Sequence, residues 1–135
     1  MKISQLFFDR RAVTRKVDRS KRRALSRFGA FVRRTAKQSI RKRKSIAPPG
    51  SPPSSHTGLL KRFIFFGYSP RNDSVVIGPV RLSKKGQGDA PSLLEYGGLA
   101  KVNGKQAHYR PRPYMGPAFE KEKSKLPAIW RDSVK

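Results

Sequence analysis

The sequence predicts an α+β domain, with a long basic N-terminal helix, a small antiparallel β-sheet with short helices, and a C-terminal helix. Three observations predict it. Apolar residues recur at helical spacing across the first third of the chain. Runs rich in Val, Ile and aromatic residues, bounded by turn residues, occupy the middle. A charged helical run, opened by proline, closes the chain.

The elements follow in order. Residues 1–9 begin "MKISQLFF" and form a short arm whose Ile3, Leu6, Phe7 and Phe8 precede the long helix. From Arg10 to about Lys44, within a helical region 10–46, Val13, Val17, Ala24, Leu25, Phe28, Phe31, Val32, Ala36 and Ile40 recur at spacings of three, four and seven. No proline interrupts them, and Gly29 is the one weak point, at about 1 kcal/mol relative to Ala. Thirty-five such residues would make a rod of about 52 Å. Its stripe of Val17, Leu25, Phe28, Val32 and Ile40 is expected to pack on the sheet or on a neighbouring rod.

Residues 47–58, "APPGSPPSSHTG", contain four prolines, two glycines and three serines, and predict an exposed loop. The β-rich core spans 59–114. "LLKRFIFFGYS" (59–69) and "SVVIGPVRLS" (74–83) read as a hairpin across the turn "PRND", with Gly78-Pro79 marking a bulge or edge. "KKGQGD" (84–89) reads as a basic loop, and "APSLLEYGG" (90–98) as one or two helical turns stopped by Gly97-Gly98. Asn103-Gly104 predicts a tight turn leading to a strand that runs into Arg110-Pro111-Arg112-Pro113. Each proline holds the residue before it extended and cannot donate to a ladder, so this stretch is a rigid arm or a sheet edge. The terminal helix fills 115–135, with Pro117 in its first turn and Pro127 as a kink or split. The whole of 1–135 reads as one domain.

Charge bounds the function. The chain carries 32 Lys+Arg against 8 Asp+Glu, a net +24. Residues 1–47 hold 17 basic and 2 acidic residues of these. Such an excess attracts polyanions and repels itself. A nucleic acid or an acidic protein surface is the expected partner, with Arg22, Arg23, Arg33, Arg34, Arg41, Lys42, Arg43 and Lys44 as the residues facing it. There is no cysteine, hence no disulfide or thiolate metal site, which suits synthesis in a cytosol. No apolar run is long enough to cross a bilayer, and "ISQLFF" is too short for a signal-peptide core.

Catalytic chemistry is not expected. His56 and His108 have no acidic or hydroxyl partner at a motif spacing, and the eight acids show no recognisable metal spacing. "GQGD" is too short for a phosphate loop. The sequence therefore calls for no enzyme activity, cofactor, metal or small-molecule substrate. Zinc-finger, aromatic RNA-binding and helix-turn-helix signatures are absent too. Phe63, Phe65 and Phe66 sit on a core strand, where packing is the expected role.

Two motifs carry a resemblance. Leu94-Glu95-Tyr96-Gly97 precedes an Asn-Gly hairpin, and Arg112-Pro113-Tyr114 then leads to Pro117-Ala118-Phe119 and a Lys/Glu-rich helix. In that order they resemble the neck or tail-completion proteins of tailed bacteriophages, the head-tail joining or minor tail components. The long charged helix and the Pro/Ser loop before the first strand are similar as well, so the resemblance runs over most of the chain. The +24 charge and the extra length of proline-rich loop depart from the pattern and leave the neck layer open.

The resemblance implies a homo-oligomeric ring in the virion, made in the host cytoplasm, through which DNA passes. Its partners would be further copies, head-closure or adaptor proteins, and tail terminator or tube proteins, with non-specific contact to genomic DNA. Glu95, Tyr96, Arg110, Arg112, Pro113, Tyr114 and Phe119 are then the interface candidates. Leu94 and Tyr96 are expected beneath the hairpin, with Glu95 facing a basic partner within the subunit or across the ring. The prolines either stiffen a surface offered to the next subunit or end a sheet edge and block aggregation. The alternative function is a basic nucleic-acid-binding protein, ribosome- or DNA-associated, without catalytic activity.

Overall fold

The computed structural model describes residues 9–80 and 89–134. The expected N-terminal arm up to Phe8, the basic loop 84–88 and the end of the second predicted strand lie outside the described residues.

Helix α1 runs Arg10–Ser39, about 45 Å at 1.5 Å per residue. Asp9 starts it: its Oδ1 accepts from the Ala12 N–H at 3.0 Å, satisfying one of the free donors of the first turn. The helix stops before the expected Lys44–Ile46. Ile40 is extended and almost fully buried. Beyond it "RKRK" offers nothing apolar to bury, and packing of an amphipathic face is what sustains a helix. The chain instead bends into a two-residue strand β1 (Arg41–Lys42), which pairs in parallel with β2 (Ser54–Ser55) from the Pro/Ser loop.

One helical turn, α2 (Leu59–Arg62), replaces the start of the first predicted strand. Gly58, at φ 79°, turns the chain into it. Strands β3 (Ile64–Ser69) and β4 (Ser74–Pro79) then form an antiparallel hairpin, with Phe66 opposite Ile77. Helix α3 (Ala90–Tyr96) ends at Gly97, whose φ is 73°. A side chain there would also stand 2.8 Å from the Tyr109 carbonyl, so glycine is required twice over. Strands β5 (Gly98–Val102) and β6 (Lys105–Tyr109) close through Asn103-Gly104, both at positive φ, the geometry an Asn-Gly hairpin turn needs. Pro127 splits the predicted terminal helix: α4 covers Met115–Lys123, and α5, Leu126–Val134, carries the proline in its first turn.

The molecule is organised around α1. The β3–β4 hairpin packs on it, and so do α4 and α5. The expected α+β class holds, with the strands of the described residues distributed over three two-stranded pieces rather than one sheet. Along α1 the buried positions are Ser20, Ala24, Phe28, Gly29, Val32 and Ala36. That four-residue rhythm joins Ile40, Ile64, Tyr114, Ala118 and Ile129 in the core. Two residues of the expected stripe are not enclosed within this copy: Leu25 is half-buried and Val17 is 41% exposed. Gly29 is the closest approach to the hairpin. A methyl group there would lie 2.8 Å from Val75 Cγ2 and 2.9 Å from Phe66 Cδ2.

Candidate functional site

The two sequence motifs that carry the resemblance fold into one unit. Helix α4 begins at Tyr114-Met115-Gly116-Pro117, with none of the Ser, Thr, Asp or Asn residues that ordinarily satisfy a helix's first N–H groups. Glu95 supplies the missing acceptor from α3. Its Oε2 accepts from the Tyr114 N–H at 2.9 Å and the Met115 N–H at 3.0 Å, and its Oε1 from the Gly116 N–H at 2.8 Å. A carboxylate at a helix N-terminus also opposes the positive end of the helix dipole. Within the subunit Glu95 therefore faces backbone rather than a basic side chain, because an uncapped helix start is the stronger local demand.

The proline stretch is built into the same unit. The Arg112 N–H donates to the Leu94 carbonyl at 2.6 Å, and the Gly50 N–H donates to the Pro111 carbonyl at 2.9 Å. Arg112 Nε donates to the Ala47 carbonyl at 2.6 Å, and its Nη1 to the Arg110 carbonyl at 3.3 Å. The segment thus ties α3 to the Pro/Ser loop.

This distributes the predicted interface residues. Tyr114 is buried in the core, Arg112 and Pro113 are half-buried struts, and Arg110 is exposed. Phe119 is partly exposed and meets Phe28 edge to face at 5.8 Å. Tyr96 does not pack beneath the hairpin: it is 82% exposed, because the turn ending α3 directs it outward, whereas Leu94 packs against the core.

The basic residues separate in a similar way. Arg22, Arg23 and Arg34 are exposed on α1, while Arg41, Lys42, Arg43 and Lys44 are exposed on the segment beyond it. Arg33 is drawn inward. Its Nε donates to the Ile64 carbonyl at 2.7 Å, and its guanidinium lies over the Phe65 ring. Arg22 lies over the Tyr68 ring. Crowding of like charge is felt at Lys37, whose ammonium is held below the usual lysine range by burial and then by Arg33 and Lys61.

Acids are mostly committed to the fold. Asp9 and Glu95 cap helices. Asp73 takes the Tyr68 hydroxyl at 2.8 Å and Lys21 at 3.2 Å, and Asp18 lies 3.6 Å from the same lysine. Glu122 is buried between α4 and α1, where it accepts from Thr35 Oγ1 at 2.6 Å and sits 2.8 Å from Lys125 Nζ.

A second surface feature is apolar. Val13 and Val17 of α1 face Trp130 and Val134 of α5 across a groove of about 250 Å³, with Lys16 and Ser20 completing it. All four apolar residues are more than 40% exposed. Sequence reasoning placed Val13 and Val17 in the helical pattern but could not see that α5 leaves them uncovered.

Among the described residues no three His, Cys, Asp or Glu side chains converge as a metal site, and no helix is long and apolar enough to cross a membrane. His56 and His108 are exposed. No protein-family model, curated protein or solved structure matches the chain.

Proposed function

We propose that this chain is a structural virion protein of a tailed bacteriophage, one subunit of a neck ring that joins the capsid connector to the tail around the DNA channel. The observation that carries the reading is the Glu95 cap. It binds the two motifs resembling the tail-completion proteins into a single rigid piece, so their order along the chain has a physical cause. The surface of the single copy is in keeping with a subunit of a larger assembly. It presents an apolar groove and rows of cations, while most of its acids serve internal contacts. The role is structural and non-catalytic, with further copies, a head-closure or adaptor ring and the tail terminator or tube as neighbours. The exposed Arg22, Arg23 and Arg34 meet DNA or acidic partner proteins.

A second reading, a cellular nucleic-acid-binding protein, draws on the same exposed cations. Negative-stain imaging of the purified protein separates the two. Closed rings are the expected result. A monomer that binds RNA or DNA with steep salt dependence and forms no ring on any virion overturns the first reading.

A further inference from the structure

A pocket of about 250 Å³ opens between the end of β4, α3 and the start of α4. Its walls include Ile77, Pro91 and Met115, and its polar residues are Asp89, Ser92, Glu95, Tyr96 and Tyr114. Two of its polar atoms are shielded from solvent and have no hydrogen-bond partner among the described residues: Asp89 Oδ1 and the Tyr114 hydroxyl. Tyr114 is 1% exposed, so its hydroxyl is a buried group of the kind that ordinarily finds a partner. The other Asp89 oxygen accepts from Ser92 Oγ at 2.7 Å, which fixes the carboxylate. Burial, then the carboxylates of Glu95 and Asp89, push the Tyr114 hydroxyl well above the usual tyrosine range. The pocket is thus negative in character, and Asp89 Oδ1 has no donor among the described residues.

We propose that this pocket receives a cationic side-chain head, a guanidinium or ammonium group, from a second copy of this chain. The step rests on the ring reading and names one of its contacts. A guanidinium carries five N–H donors in a planar fork, enough to supply both Asp89 Oδ1 and the Tyr114 oxygen. The chain holds 32 basic residues and 8 acidic ones, so a neighbouring copy offers many donors, and Asp89 is a rare receptor with an oxygen to spare. A cation on one face entering a pocket on another is a head-to-tail contact, the type that closes rings. It would also relieve some of the self-repulsion that a net +24 imposes on assembly.

The test has two arms. In the first, isotope-labelled, dilute protein is titrated with ethylguanidinium chloride against sodium chloride at matched ionic strength. Saturable shifts of the Asp89 carboxyl and Tyr114 ring signals are expected, abolished in Asp89→Asn and weakened at least several-fold in Tyr114→Phe. Asn at 89 retains an oxygen for Ser92, so the fold is kept, and unchanged spectra elsewhere verify it. Absence of saturable shifts overturns the pocket.

In the second arm, protein concentration is raised without the probe and association is followed by sedimentation. The same signals should move with concentration in the wild type, and Asp89→Asn should associate at least tenfold more weakly. Rings that form equally well with Asp89→Asn overturn this contact but leave the ring reading standing. Occupancy that does not change on dilution overturns the second copy as donor. Protein that stays monomeric at every concentration overturns that donor and the ring reading together, with the first arm still reporting on the pocket.

Discussion

Replacing Glu95 with Ala removes the acceptor of three backbone N–H groups at once. Those of Tyr114 and Met115 are partly buried, and that of Gly116 is exposed. Each partly buried donor left without a partner costs about 1 kcal/mol. The exposed one passes to water at a few tenths of that, and loss of charge from the helix N-terminus adds about 0.5 kcal/mol. The sum is about 3 kcal/mol. For a chain of 135 residues, 1 kcal/mol moves Tm by about 4 °C, so Glu95→Ala should melt about 12 °C below the wild type. Glu95→Gln keeps one acceptor oxygen and loses the charge, and should fall about midway. Glu95→Lys should be the worst of the three, placing a cation at the positive end of α4. Thermal unfolding by circular dichroism, on dilute protein to exclude assembly, reads all three. If Glu95→Ala melts within about 2 °C of the wild type while Glu95→Lys blocks assembly, the residue serves an interface and the capping account is mistaken.

Three further substitutions test the packing. Gly29→Ala gains about 1 kcal/mol of helix propensity but drives a methyl into Val75 and Phe66, an overpacking that costs about 1–3 kcal/mol; a net loss of stability in urea unfolding is expected, and a gain would show that the hairpin yields easily. Arg112→Lys keeps the charge but loses the Nε donor to the Ala47 carbonyl, so the Pro/Ser loop should become more protease-sensitive near Ala47 with the core intact, whereas unchanged cleavage would refute the strut. Lys125 and then Thr35 hold the Glu122 carboxyl below the usual glutamate range. Its contribution to stability is therefore present above the ordinary value of about 4.3 and is lost as pH falls through the lower folded value. Glu122→Gln should be less stable than wild type at neutral pH and should lose less on acidification, and parallel pH profiles of the two proteins would contradict this.

What was legible in the sequence was chiefly local. The Asn103-Gly104 turn, the Gly97 stop and the Pro127 break depend on the conformational limits of one or two residues, and those limits act wherever the residues stand. Three features were not legible because distant partners decide them. Helix α1 ends at Ser39 since Ile40 is wanted by the core, although "RKRK" has no local objection to helix. Gly29 looked like a weakness because the hairpin that needs its missing side chain lies far along the chain. The Glu95 cap spans 19 residues, beyond any local capping pattern. One signal for it did exist: the start of α4 lacks a capping side chain, so an acceptor had to come from elsewhere. The interface candidates divide between core, strut and surface for the same reason. Tyr114 and Arg112 are large or multidentate groups, which serve a core or a strut as readily as a partner surface, and only the fold separates those uses.

The proposed role places this chain at the head-tail junction. The most direct measurement is immunogold labelling of purified virions with antibody raised against this protein, imaged by electron microscopy. Gold confined to the junction between head and tail is expected, and heads without attached tails when the gene is deleted. Gold on the capsid wall or the tail tip, or intact virions carrying none of this protein, would contradict it.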